Sequence, residues 1–530
     1  MSNMSASRRA GFLTLFLLFV FTLILLSYSQ TGAASQVDDP LWQDVVESDT
    51  LRRSPRRVVP DAYRLLRLNT GRLAEILDQA PAEFSGTQGI ELVLPLPDGT
   101  NGRFLIHNSP IMEPGLAAKF PEIQTFIGVG VDDPSATVRL GWTFHGFHAT
   151  VRSVGEPAVY IDAYAVGDLT HYISYRKSAY TTSAANRAVL ADRVEDNPAL
   201  RAEIDKIIAT GQARLSGEEL RVYRLAVATT GEYTAFHGET VNGGLAAVVT
   251  AMNRVNGIYE REVAIRMVLV NDNDQIIFTD ANSDPYSNDN GVAMLAQNQT
   301  ELDNTIGNAN YDVGHVFSTG GGGVASLGVP CQTGAKARGV TGLNSPINDP
   351  FYVDFVAHEL GHQWAATHTF NGNEGACTGN RTSATAYEPG SGTTIMGYAG
   401  ICGSQNVQNN SNDYFHAASY DQIIAYSTQS TGNSCAQIIN TGNTPPVANA
   451  GADYVIPADT PFMLTGGGSD ANGDDVLSFN WEQFDLGDAG SFNNPDVPPH
   501  FRSFPSTAGP VRIFPQISDI LGNTSTLGEQ

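Results

Sequence analysis

Three imidazoles and one carboxylate crowd the run His358-Glu-Leu-Gly-His362 and its continuation to His368. The preceding residues 354–357 read as helix, which sets His358 and His362 one turn apart on one face, able to aim ring nitrogens at a single metal ion. Glu359 sits beside that face. It is better placed to hold a water at the metal and take its proton than to bind the metal itself. His368 follows His362 by six residues, off the same face, so it reaches the metal only if the helix stops and the chain turns back. Three histidines on zinc leave a fourth position open, as in catalytic and not structural zinc sites.

A short H-E-x-x-H match also arises by chance on ordinary helices, and a lone methionine such as Met396 is most often core filler. Here the two occur together with a third histidine, followed by Thr394-Ile-Met-Gly-Tyr398. With Tyr223–Tyr233, Arg254–Glu260, Gly314–Gly323 and Lys336–Thr341, these segments resemble the metzincin zinc peptidases, in detail the bacterial reprolysin-like (adamalysin-type) branch, from about Leu220 to Cys435. The resemblance implies a zinc site of His358, His362 and His368, with Glu359 as general base and Met396 in a Met-turn beneath the metal. It also implies a substrate-binding sheet edge at 313–318 and a specificity-pocket wall at Gly397–Cys402.

One position departs from the family pattern. Ala365 stands where a glycine normally ends the helix in a left-handed conformation, which costs a residue with a Cβ on the order of 1 kcal/mol. The departure leaves open a geometry in which Glu374 or Glu388 is the third ligand, since two histidines and a glutamate also make a catalytic zinc set.

The reading that follows is a secreted zinc endopeptidase acting on protein or peptide substrates, with Glu359 moving the proton from water to the leaving amine. Peptide hydrolysis rests on the resemblance; the motif alone implies only a metal that activates water. The rival is a non-catalytic surface or adhesion protein that reuses the fold, and an intact Glu359 counts against it. A zinc hydrolase acting on non-peptide amides is a third reading.

The 530 residues imply several domains. Residues 1–34, with Arg8-Arg9, an apolar run from Gly11 to Leu26 and small residues at Gly32–Ala34, read as a signal peptide cleaved near Ala34, or near Ser29. The apolar run is short of the roughly 20 residues a spanning helix needs, and no other segment is long enough, so no membrane span is expected after signal removal. The localisation implied is extracellular or cell surface. A net charge of −25 argues against nucleic acid as a partner. Asn271–Asp274 and Asp280–Asp284 offer oxygens to calcium, without EF-hand spacing. Nothing in the sequence sets an oligomeric state.

Residues 35–215 read as a β-rich propeptide plus a helical, cleavable linker at 190–213; an independent binding domain is the alternative. Many relatives silence zinc with a propeptide cysteine, but none of this chain's four cysteines precedes Cys331. Inhibition would need a carboxylate or imidazole on the metal, with His145 and His148 as candidates, or backbone laid along the substrate edge. All four cysteines lie in the catalytic region, an even number on an exported chain, which argues for two disulfides. Sequence alone does not choose among the three pairings. The resemblance implies Cys331–Cys435, leaving Cys377–Cys402.

For the catalytic domain, 216–440, strands at 222–229, 263–270 and 313–318 alternate with helices at 243–258, 291–306 and about 351–365. This order predicts an α/β (α+β) domain with a mixed twisted sheet and a zinc helix. The Gly320–Gly323 run lacks the Lys-Ser/Thr ending of a phosphate loop. Residues 441–446 read as a linker. Residues 447–530 resemble the start of a PKD-like, Ig-type β-sandwich with Trp481 in its core, read here as truncated at the C-terminus.

Overall fold

The computed structural model describes residues 40–180, 192–211, 215–473, 475–490, 494 and 496–529. The expected signal peptide lies outside the described residues.

The N-terminal region is an antiparallel sheet of nine strands: β1 (Trp42–Asp44), β2 (Arg64–Leu68), β3 (Ile90–Pro95), β4 (Asn101–Asn108), β5 (Gln124–Gly130), β6 (Thr137–Thr143), β7 (Gly146–Arg152), β8 (Val159–Ala163) and β9 (His171–Arg176). From β3 to β9 each strand pairs with the next, and β9 returns to β2. Alternation sorts the faces: Leu92, Leu94, Phe104 and Ile106 are buried on one side. The side chains of Trp42 and Ser174 donate to the Val93 and Pro95 carbonyls, 2.9 and 2.8 Å away, so the sheet curls nearly shut.

The second sheet, which carries the segments around the His358–His368 motif, runs β10 (Asp192–Glu195), β14 (Gly323–Ser326), β15 (Gly339–Gly342), β13 (Val313–Ser318), β11 (Glu219–Thr229), β12 (Ile265–Leu269), with β16 (Gln437–Asn440) also on β11. It is mixed: β13 and β12 run parallel to β11, β15 is parallel to β13, and β14 is antiparallel to β15. Two expectations change here. The strand 313–318 is interior and not an edge, because both flanks are paired. Its backbone is central and fully buried, whereas β14 carries the outer position that β10 covers in parallel, Asp192 opposite Gly323. The stretch read as helical linker opens with β10 and becomes helix only over α1 (Pro198–Ala209), started by the Asn197 side chain, which accepts from the Leu200 amide.

Three helices frame the site. Helix α2 (Val241–Val263) is capped by the Thr240 hydroxyl, ends at left-handed Ala264, and is buried along most of its length. Helix α3 (Gly291–Leu302) covers the opposite face with Met294 and Leu295. The zinc-motif helix α4 spans 348–363, with a π turn at Tyr352–Ala357 immediately before His358–Gln363. Such turns often occur at functional sites. The Tyr259 hydroxyl of α2 donates to the Ala357 carbonyl at 2.8 Å, satisfying a backbone group there. Farther along, Gln363 donates to the Gly314 carbonyl and pairs with His315, pinning α4 to β13.

Beyond the linker, β17 (Val447–Asn449) pairs with β19 (Gly467–Ser469), and β18 (Phe462–Thr465) with β20 (Val511–Phe514). Among the described residues these are two separate two-stranded ladders. Trp481 is half-buried, its indole donating to the Pro510 carbonyl.

Candidate metal centre

Helix α4 stops where the third histidine requires. Ala365 takes φ +73°, the Ala366 amide donates to the Gly361 carbonyl and the Ala365 amide to the His362 carbonyl, each at 2.9 Å. This is a Schellman C-cap with alanine in the left-handed position. The reversal returns His368 to the helix face that carries His358 and His362.

The three rings converge. Their Nε2 atoms lie 3.0, 3.1 and 3.3 Å apart. Each Nδ1 faces a backbone carbonyl at 2.6–2.7 Å: Ile395 for His358, Ala366 for His362 and Asn380 for His368. A carbonyl cannot donate, so each Nδ1 carries the proton and each Nε2 presents a lone pair to the same point. A fourth acceptor joins them: Asp192 Oδ2 lies 2.8 Å from His368 Nε2, 3.1 Å from His358 and 3.5 Å from His362. Four buried lone pairs aimed together repel unless a cation sits among them, and nitrogen with carboxylate oxygen is a zinc donor set. Burial also holds the His362 imidazole down to about 4, so at neutral pH it is the uncharged, ligating form. Among the described residues these four form the one group able to hold a metal ion.

Glu359 is fully buried, and neither carboxylate oxygen has a hydrogen-bond partner. Burial first, and then the neighbouring Asp192 charge, push its carboxyl well above the usual range. Gly323 makes room for the glutamate: a Cβ there would stand 1.9 Å from Glu359 Oε1.

Residues 219–427 match the model of the metallo-peptidase family M12B, reprolysin-like. No curated protein matches the chain. The family match supports a metzincin-like, zinc-dependent peptidase domain whose substrates are proteins or peptides.

Met396 is fully buried, and its sulfur packs against Gly361, between the two helical histidines. Its turn closes through the Gly397 amide to the Thr394 carbonyl at 2.9 Å. The Gly397–Cys402 loop lines a small cavity beside His358 and Glu359, across from Asp354 and Phe355. Burial pushes Asp354 up to about 7. Both disulfides pair as the resemblance implies, Cys331–Cys435 and Cys377–Cys402, with Cα atoms 5.5 and 5.2 Å apart.

The rival glutamates are engaged elsewhere. Glu388 accepts from the amides of Thr393 and Thr394 and from the hydroxyls of Thr369, Thr393 and Thr394, tying the segment after His368 to the Met396 turn. Glu374 accepts from Ser404. The acidic runs read as calcium candidates also have partners: Asp272 and Asp274 hold Lys119, Asn271 and Asp284 accept backbone amides, and Asp280 closes its own turn. His145 bonds the Gly243 carbonyl and His148 packs against Asn253, so neither meets the metal site.

Sequence reasoning missed Asp192 and the role of Tyr398, whose hydroxyl donates to Asp192 Oδ2 at 2.5 Å. The absence of an earlier cysteine left a carboxylate or an imidazole as the options, His145 and His148 being the residues named, and no spacing singles out Asp192 among the many acidic residues ahead of residue 216.

Proposed function

We propose that this chain is a secreted zinc endopeptidase in which His358, His362 and His368 hold the metal and Glu359 is the general base. The observation that carries the reading is the set of three Nε2 lone pairs converging beside an unpartnered buried glutamate. Zinc, when bound, supplies a Lewis acid that acidifies water and polarises a peptide carbonyl. Glu359, with no competing donor, accepts the proton of the attacking water and passes it to the leaving amine. The carbonyls of Ile395, Ala366 and Asn380 keep the ligand rings in their tautomers and orientations. The outer strand of the catalytic sheet offers unpaired backbone groups to an extended substrate once β10 is absent.

The test is degradation of casein or a quenched peptide by the secreted protein after proteolytic removal of the β10 segment, before and after a zinc chelator, beside Glu359→Ala. We expect chelation to abolish cleavage, and Glu359→Ala to keep its zinc while losing about 10²–10⁴ in rate. Full cleavage by the zinc-loaded Glu359→Ala protein would remove this residue from the mechanism.

A further inference from the structure

We propose that Asp192 is a fourth ligand to the zinc, supplied by the chain's own N-terminal region, and that β10 thereby keeps the peptidase latent. The inference rests on the peptidase reading of the same site.

Asp192 reaches the position a catalytic zinc keeps for water and substrate. Its side chain is 4% exposed, with Oδ2 within 3.5 Å of all three Nε2 atoms. The Tyr398 hydroxyl also donates to that oxygen, and Oδ1 has no partner. A carboxylate so deeply buried needs a compensating cation, and the imidazole lone pairs supply none.

The backbone blocks what the side chain does not. Asp192–Glu195 pairs in register with Gly323–Ser326, and Gly323 is the residue against which Glu359 packs. One strand therefore covers the metal, the base and the sheet edge together. It is held at its far end, where Glu195 accepts from Arg338 and Ser326. Past it, Leu200 and Ile204 of α1 are buried in the catalytic core.

A permanently closed structural zinc would show the same ligand set, but it would have no use for the neighbouring features. Glu359 is buried at a cost without a partner, and Gly323 is shaped to admit it. Both make sense when Asp192 withdraws and water takes its place.

The experiment uses the full chain with cobalt(II) replacing zinc, and acetohydroxamate as the probe of the fourth position. In the unaltered protein we expect a cobalt absorption band that acetohydroxamate does not change. In Asp192→Ala and the isosteric Asp192→Asn, the band shifts saturably with the probe, and peptide cleavage by the zinc forms rises by about tenfold or more. A band in the unaltered protein that responds to the probe as the variants do overturns the proposal, and this measurement stands even if a variant fails to fold. Equal and measurable cleavage by unaltered and variant proteins also overturns it, while leaving the peptidase reading intact. The expected band behaviour with no cleavage by either variant supports Asp192 as ligand and removes the peptidase reading instead.

Discussion

At the level of single residues, the site depends on a few groups whose neighbours leave them one role. Glu388 could be mistaken for a ligand from sequence, yet five hydrogen bonds engage it away from the metal. His368→Ala should therefore lose zinc in metal analysis, whereas Glu388→Ala should keep it. The glutamate variant should instead lose several kcal/mol in denaturant melts, because it strands two backbone amides at about 1–3 kcal/mol each. A second prediction concerns Ala365. Replacing it with glycine relieves about 1 kcal/mol of left-handed strain. It also removes a buried methyl worth about 0.8 kcal/mol. The two nearly cancel, so Ala365→Gly should keep its zinc and melt within a few degrees of the parent. Ala365→Val, β-branched at φ +73°, should fail both tests.

At the level of elements, motif residues were legible because chemistry fixes their spacing. Helix periodicity placed α2 within two residues of its start but stopped five residues short of its end, and 313–318 was found to the residue. The rank of that strand in the sheet was not legible, since pairing partners far apart in sequence leave no local pattern. For the same reason 192–195 read as linker: four residues become strand only because β14 offers a free edge. That the helix must stop for His368 to return was legible, but Ala365 in the glycine position left open whether it would, and only the structure places it at φ +73°. The Gly323–Glu359 contact was hidden, because a glycine run announces flexibility and says nothing of what approaches it. That contact is testable. Gly323→Ala would put a methyl onto Glu359 Oε1, displacing the base while leaving the histidines in place. In an Asp192→Ala background, the added substitution should cut peptide cleavage by about a hundredfold with unchanged zinc content. Unchanged cleavage would show that the glutamate has room to move.

At the level of the whole molecule, the N-terminal region is built into the catalytic domain as well as laid across its site. Ile111, Met112 and Leu116 fill the catalytic core, and the Ile111–Glu113 backbone bonds Leu269 on the sheet flank opposite β10. The helix motif Arg254–Glu260, whose purpose the sequence did not reveal, is a docking face: Arg254 pairs with Asp162 and Glu260 with Arg139. Arg152–Asp413 and Arg266–Glu83 extend the contact. A single proteolytic cut before Gly217 should therefore not release the N-terminal fragment, and the two pieces should migrate together on gel filtration at neutral pH. Acid should separate them, and the carboxylates set where. Burial acts to raise Asp413 and Glu260, but Arg152, Lys177 and Arg261 around the first, and Arg139 and Arg266 around the second, outweigh it and hold both below their ordinary values. A carboxylate lowered in the docked state favours docking at every pH above its free value, and that contribution is lost as pH falls through the lowered one. The nicked complex should thus stay intact at about pH 5 and come apart only below the ordinary carboxylate range of about 4. Separation already at pH 6 would mean that these buried ion pairs do not hold the two regions together.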